Sequence, residues 1–91
     1  MIVEDIKKLE KIFKAVANKR RLQILRFLKQ QKEASVGDIA ENIGVSFKST
    51  SRHLAVLYSV DILEKEQRSL EVFYSISAEM HKLMKHVVAT L

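Results

Sequence analysis

The chain contains no cysteine, no proline, no tryptophan and only two glycines, Gly37 and Gly44. Without cysteine there is no disulfide framework, no thiolate metal site and no cysteine nucleophile. With so little proline and glycine the chain has few places to break, and no repeat, low-complexity tract or flexible linker is visible. No stretch approaches the ~18 consecutive apolar residues of a membrane span. The opening Met1-Ile2-Val3-Glu4-Asp5-Ile6-Lys7-Lys8 lacks the uninterrupted apolar core of a signal peptide. The expected location is therefore the cytoplasm, with no membrane partner. Catalytic groups are missing as well. No glycine-rich loop exists to cradle a phosphate, and the serines of positions 46–51 with His53 have no acidic orienter at workable helical spacing. An enzyme is not expected.

What is present is ordinary globular material: 91 residues, 47% hydrophobic and 30% charged, which fit one domain over residues 1–91. A chain this small buries only about 60–65% of its unfolded surface, so help from a partner subunit would add to a marginal core. The net charge of +5 is uneven. Residues 1–33 carry ten Lys/Arg against four Asp/Glu, residues 34–60 two of each, and residues 61–91 four against five. A basic excess favours polyanionic partners, although solvated helix faces produce it too.

Hydrophobic spacing divides the chain into elements. Ile2, Ile6, Leu9, Phe13 and Val16, with Ile12 beside them, mark one face of a first helix whose other face carries Lys7, Lys8, Lys11 and Lys14. Asn18 suits the N-cap of a second helix, with Leu22, Leu25 and Leu28 inward and Ile24 and Phe27 alongside. That helix fades in Lys29-Gln30-Gln31-Lys32-Glu33. Ser35 can cap a short third helix bearing Val36, Ile39, Ala40 and Ile43, and Gly44 stands where a helix end wants a left-handed residue. Ser46 can cap a fourth helix that buries Thr50, Leu54 and Leu57. Ile62–Gln67 and Glu71–Ile76 then read as two short strands around the turn Arg68-Ser69-Leu70. Either Phe73 with Ile62 or Leu63, or Val72, Tyr74 and Ile76, could form the inner face of this hairpin. Ser77 is expected to cap a last helix with Met80, Leu83, Met84, Val87, Val88 and Leu91 on one stripe. The fold class is mainly α with a small β-hairpin, a winged helix-turn-helix of order α-α-α-α-β-β-α.

The stretch Ile39–Leu54 carries the functional signal. Ala40 lets a crossing helix approach, Gly44 permits a tight turn, and Val45 plugs the angle between the two helices. At about 100° per residue, the face opposite Thr50 and Leu54 is made by Lys48, Arg52, Ala55 and Ser59, with Ser49 and Ser51 flanking it. A slender helix carrying donors on its first turns can enter a major groove about 12 Å wide. Lys48 or Arg52 could pair with guanine O6/N7, and Ser49 and Ser51 could bond bases or phosphates. The N-terminus at Ser46 and Phe47 adds partial positive charge toward a phosphate. Lys65, Gln67 and Arg68, on or near the hairpin tip, could reach backbone or minor groove. His53 reads chiefly as an imidazole bonded to a nearby backbone group, with a phosphate contact second. The cluster Lys19-Arg20-Arg21 fits a DNA-flank patch and a solvated first turn equally well.

These features together resemble the ArsR/SmtB family of winged-helix repressors. The resemblance is carried by Ala17-Asn18-Lys19-Arg20-Arg21-Leu22-Gln23-Ile24-Leu25, by Val45-Ser46 and Ser51-Arg52-His53-Leu54-Ala55-Val56-Leu57, and by Val72-Phe73-Tyr74-Ser75-Ile76. It spans about residues 8–90 and rests on the order and spacing of motifs that are individually loose. It implies a homodimer on an inverted-repeat operator in double-stranded DNA, with bases read from Phe47, Lys48, Ser51 and Arg52. It places the first and last helices at the dimer interface, here Ile2, Ile6, Leu9, Phe13, Met80, Leu83, Met84, Val87 and Val88.

The chain also departs from the family. Asn18-Lys19-Arg20-Arg21 stands where Asp-Pro-Thr-Arg is frequent, Asp61 and Ser69 stand where glycines are usual, and Phe47 replaces a common Gln. That Phe could alter base preference or touch a thymine methyl. Metal-sensing relatives use cysteines on the third helix, where this chain reads Ala34-Ser35-Val36-Gly37-Asp38. Others use paired His and Asp on the last helix, whereas His81 and His86 are five residues apart and so lie about 500° around it, on different faces. No cofactor and no metal are expected, and no inducer site is legible. The alternatives to a DNA-binding repressor are a winged-helix protein-interaction module, or a metal- or ligand-responsive switch on the same scaffold. Lys48 and Arg52 favour DNA over the first of these.

Overall fold

A computed structural model describes residues 3–91, with side chains from residue 5 onward. Its elements in chain order are α1 (Val3–Val16), α2 (Lys19–Gln31), β1 (Glu33–Ser35), α3 (Val36–Ile43), α4 (Phe47–Ser59), β2 (Leu63–Arg68), β3 (Glu71–Ile76) and α5 (Lys82–Thr90). The strands form one antiparallel sheet of order β1-β3-β2. This is the expected winged helix-turn-helix with one strand more than the hairpin. β1 has three residues and no alternation of its own, so local pattern cannot mark it. It exists because β3 offers a free edge, pairing Ala34 with Tyr74 and Ser35 with Phe73. Ala34 and Ser35 are buried as a result.

Three helix starts form as their capping residues dictate. The Asn18 side chain accepts from the Arg21 amide at 3.1 Å. Ser35 accepts from the Asp38 amide, also at 3.1 Å, and Ser46 caps α4 in the same manner. Each cap satisfies a backbone donor that the first turn leaves free, worth about 1 kcal/mol. The last helix departs from expectation. Ser77 does not cap it; its hydroxyl accepts from the Glu79 amide and donates to Glu64. α5 begins only at Lys82, and His81 is its cap, Nδ1 accepting from the Leu83 amide at 3.0 Å.

The core lies between α2, α3, α4 and the sheet. Ile24, Leu25, Leu28, Ile39, Leu54, Leu57 and Ile62 are fully buried, joined by Ile12 from α1 and Met84 from α5. Tyr74 is buried on β3, with Val72 and Ile76 half-buried against the core, so this trio forms the hairpin's inner face. Phe73 lies on the opposite face. The terminal helices divide their apolar residues between two sides. α1 turns Ile12, Ala15 and Val16 inward, leaving Ile6 and Phe13 exposed and Leu9 half-buried. α5 sends Met84 and Val88 into the subunit's own core, while Met80, Leu83, Val87 and Leu91 stay half-buried.

Candidate nucleic-acid interface

The turn between α3 and α4 depends on Gly44. Its backbone is left-handed (φ 69°, ψ 36°), and an added Cβ would meet nothing within 4 Å, so the requirement is conformational and not steric. The amides of Gly44 and Val45 both donate back to the Ala40 carbonyl, at 3.0 and 3.2 Å. This satisfies the end of α3 and aims the chain into Ser46, whose carbonyl accepts from the Thr50 amide. Thr50, Leu54 and Leu57 are all fully buried and pin α4 along one side. The opposite side is open: Phe47, Lys48, Arg52, Ala55 and Ser59 are exposed, and Ser49 and Ser51 half-exposed. Among the described residues, neither Lys48 nor Arg52 has an ion-pair or side-chain hydrogen-bond partner.

A clamp behind α4 fixes its orientation. The Arg21 guanidinium donates through Nε to His53 Nδ1 at 3.2 Å, and through Nη1 to the Lys14 and Ala15 carbonyls at 3.3 and 3.2 Å. One side chain thereby joins the C-terminus of α1, the start of α2 and the middle of α4. Arg20 donates to the Ile43 carbonyl at 3.1 Å and to Gln23. Arg20 and Arg21 are therefore engaged within the fold; Lys19 and Arg20 are exposed and Arg21 half-buried. His53 accepts from a guanidinium, where a backbone partner was expected. Burial holds its pKa below the ordinary 6.5, and the charges of Arg21 and Arg20 push it the same way. A neutral imidazole is what the clamp needs, because only that form leaves Nδ1 able to accept.

The wing is similarly occupied. Arg68 makes a two-pronged pair with Glu33 at 2.7 and 2.8 Å, reaches Glu66 at 3.1 Å, and lies 4.7 Å from the Phe73 ring centroid. The two carboxylates raise the guanidinium's pKa further, and hydrogen bonding to Arg68 holds Glu33 below its ordinary value. Lys65 Nζ stands 4.4 Å over the Tyr58 ring, and Gln67 donates to the Ser69 carbonyl at the turn. Of the candidate DNA-contacting residues, Ser46, Phe47, Lys48, Ser49, Ser51 and Arg52 come together on the first turns of α4. His53 faces Arg21, Lys65 lies over Tyr58 at the far end of α4, Gln67 bonds within the wing turn, and Arg68 is tied down by carboxylates. The Arg21–His53 clamp was invisible in the sequence because its partners lie 32 positions apart.

Two further features are exposed. The wing tip presents Leu70 at 96% exposure and Phe47 stands at 62%. Both line a cleft of about 280 Å³, together with Ser51 of α4, Glu71, Val72 and Tyr74 of β3, and Ser35, Val36 and Gly37 at the start of α3. Among the described residues no group of three or more His, Asp or Glu is placed to hold a metal ion. No described helix is long and apolar enough to cross a membrane.

The family profile described as "Bacterial regulatory protein, arsR family" matches residues 18–65, from the cap of α2 into the wing. The chain is 37% identical over 73 residues to the transcriptional activator HlyU of Vibrio cholerae, covering 80% of this chain and 67% of that protein. It is 32% identical over 76 residues to the arsenical resistance operon repressor of Bacillus subtilis, covering 84% and 72%. Its backbone superposes on reduced HlyU from Vibrio cholerae with a TM-score of 0.80 at 32% identity, covering 97% of this chain and 88% of that one. The solution structure of a homodimeric winged helix-turn-helix DNA-binding domain from Mycobacterium bovis gives a TM-score of 0.79 at 29% identity, covering 93% and 75%. Sequence, fold and the helix-turn-helix geometry thus agree that the chain belongs to the arsR family of bacterial transcriptional regulators.

Proposed function

We propose that this chain is a homodimeric, sequence-specific DNA-binding regulator that represses transcription in the cytoplasm by occupying an inverted-repeat operator. The observation that carries the reading is the unpartnered pair Lys48 and Arg52 on the open side of a helix whose other side is wholly buried. A rigid rod with a narrow cationic face and a capped N-terminus suits the major groove. Ser46, Phe47, Lys48, Ser49, Ser51 and Arg52 form the contact surface, while His53 positions it through Arg21. Lys65 and Gln67 are the wing residues that would reach a flanking backbone, and Arg68 could join them only by leaving Glu33 and Glu66.

Dimerisation uses the sides of α1 and α5 that the subunit leaves uncovered: Ile6 at 57% and Phe13 at 53% exposure, with Leu9, Met80, Leu83 and Val87 half-buried beside them. Met84 and Val88, expected at that interface, are spent on the subunit's own core. Ile2 lies outside the described residues. The Mycobacterium bovis neighbour is described as homodimeric, which supports the same assembly here. Two copies would set their α4 helices about 34–36 Å apart, one turn of duplex.

Selection of bound sequences from a random duplex library tests this reading. It should return a two-fold symmetric site whose half-sites are about 10 base pairs apart. A titration on that site should give log K falling steeply with log[salt], by about 0.9 per phosphate neutralised. Absence of duplex binding at low salt would refute the reading and favour a protein-interaction module. In transcription from a promoter carrying the selected site, added protein should lower transcript yield; a rise would make it an activator.

A further inference from the structure

We infer that the cleft between α4 and the wing reads the C5-methyl group of a pyrimidine in the major groove, with Phe47 as the residue that contacts it. The inference rests on the duplex-binding reading above and names the chemistry read at one position of the site.

Phe47 is the first residue of α4, at the end of the helix that would lead into the groove. It has no donor or acceptor, so it cannot discriminate bases by hydrogen bonding. It is nevertheless 62% exposed, directly beside Lys48 and Arg52. One exposed aromatic is unremarkable in isolation. Here it lines a cleft together with Leu70, 96% exposed at the wing tip, and Val72. Two large, exposed apolar side chains, one from α4 and one from the wing tip, thus line one cleft, which meets the recognition helix again at Ser51.

The polar groups nearby are largely committed. The Ser46 hydroxyl takes the Ser49 amide, Gln67 donates to the Ser69 carbonyl, and Arg68 is held by Glu33 and Glu66. Lys48 and Arg52 remain free on the adjoining face of α4, but no cation or side-chain amide lines the cleft itself to read guanine or adenine there. The apolar feature that duplex DNA presents in its major groove is the C5-methyl of a pyrimidine. Thymine carries it, and so does 5-methylcytosine. The two differ in the neighbouring group: thymine offers a carbonyl acceptor, cytosine an amine donor. Glu71, on the rim of the cleft, can accept from an amine but repels a carbonyl.

The test uses the full chain and the duplex selected from the random library. Each thymine of a half-site is replaced in turn by deoxyuridine, which removes only the methyl. Each cytosine is replaced in turn by 5-methylcytosine, which adds only the methyl. Affinity is read by fluorescence anisotropy. At one position per half-site the methylated base should bind about fourfold more tightly than its unmethylated counterpart, the effect of one buried carbon. A response to deoxyuridine assigns thymine, and a response to 5-methylcytosine assigns the modified base. In Phe47→Gln the ratio at that position should fall to about one, and Leu70→Ser, at the wing tip, should lower it as well. Both side chains are exposed, and unchanged far-ultraviolet circular dichroism would verify that the variants fold. Tight duplex binding with no methyl-sensitive position would overturn the inference alone. So would a methyl ratio that survives intact in Phe47→Gln. Absence of all duplex binding would overturn the DNA reading and this inference together.

Discussion

Arg21 should be worth more to this fold than any other charged residue, although the sequence leaves it inside an ambiguous basic cluster. Its guanidinium makes three hydrogen bonds to two other helices. The bond to the Ala15 carbonyl is partly buried at the end of α1, where a cation also opposes the negative end of the helix dipole. The bond to His53 is partly buried as well, and the bond to the Lys14 carbonyl is exposed and contributes least. With about 1 kcal/mol for each partly buried bond and a few tenths from the exposed bond and the dipole, Arg21→Ala should cost about 2–3 kcal/mol. Arg21→Lys should lose more than half of that, since an ammonium cannot span three acceptors set at fork geometry. Urea unfolding at fixed protomer concentration reads the loss directly, the concentration being held because dimerisation adds to apparent stability. Adding His53→Ala completes a double-mutant cycle, and the coupling should be about 1 kcal/mol. A loss below about 0.5 kcal/mol for Arg21→Ala, or a coupling near zero, would refute the clamp.

Other expectations follow from single features. Ser69 sits at the hairpin tip with φ 57°, a left-handed position that favours glycine, so Ser69→Gly should raise stability by about 0.5–1 kcal/mol in the same urea assay; a loss would show that the turn geometry is misread. His53 has its pKa lowered in the fold, so the unfolded chain takes up a proton more readily. Stability should therefore be full above the ordinary value of 6.5 and decline as pH falls from there toward the lowered folded value. His53→Gln, which can still accept from Arg21 but does not titrate, should flatten that decline, and parallel pH profiles would exclude His53 as its source. Phe13→Asp places a charge on the uncovered side of α1 in both copies of a dimer. It should weaken self-association roughly 100-fold, read by analytical ultracentrifugation, with little change in subunit fold. An unchanged sedimentation profile would remove Phe13 from the interface.

Much of this was legible locally. The caps at Asn18, Ser35 and Ser46 and the left-handed Gly44 depend on residues within a few positions of one another, and the sequence displays them openly. So does the buried stripe Thr50, Leu54 and Leu57, whose spacing leaves Lys48 and Arg52 on the other side. What escaped was set by distant partners. β1 depends on the edge of β3, some 40 residues later. The Arg21–His53 bond and the Arg68–Glu33 pair join positions that no periodicity relates. The division of α1 and α5 into inward and outward sides followed the same rule. α1 carries apolar residues over more than half its circumference and α5 a broad apolar stripe, and only the placement of the neighbouring helices decides whether Ile12 or Phe13, Met84 or Leu83, turns inside. The start of α5 moved from Ser77 to His81 because the Ser77 hydroxyl found Glu64 across the hairpin.

The open side of α4 is what the account depends on, and chemical footprinting of guanine N7, an atom reached only through the major groove, tests it most directly. On the selected duplex the protein should protect guanines in two clusters about 10 base pairs apart. Arg52→Ala should restore reactivity at one guanine per half-site and cost about 1–3 kcal/mol for sequences that carry it, with little loss for those that do not. Tight binding that leaves every guanine N7 reactive, or an Arg52→Ala loss spread equally over all sequences, would contradict the placement of this helix in the groove.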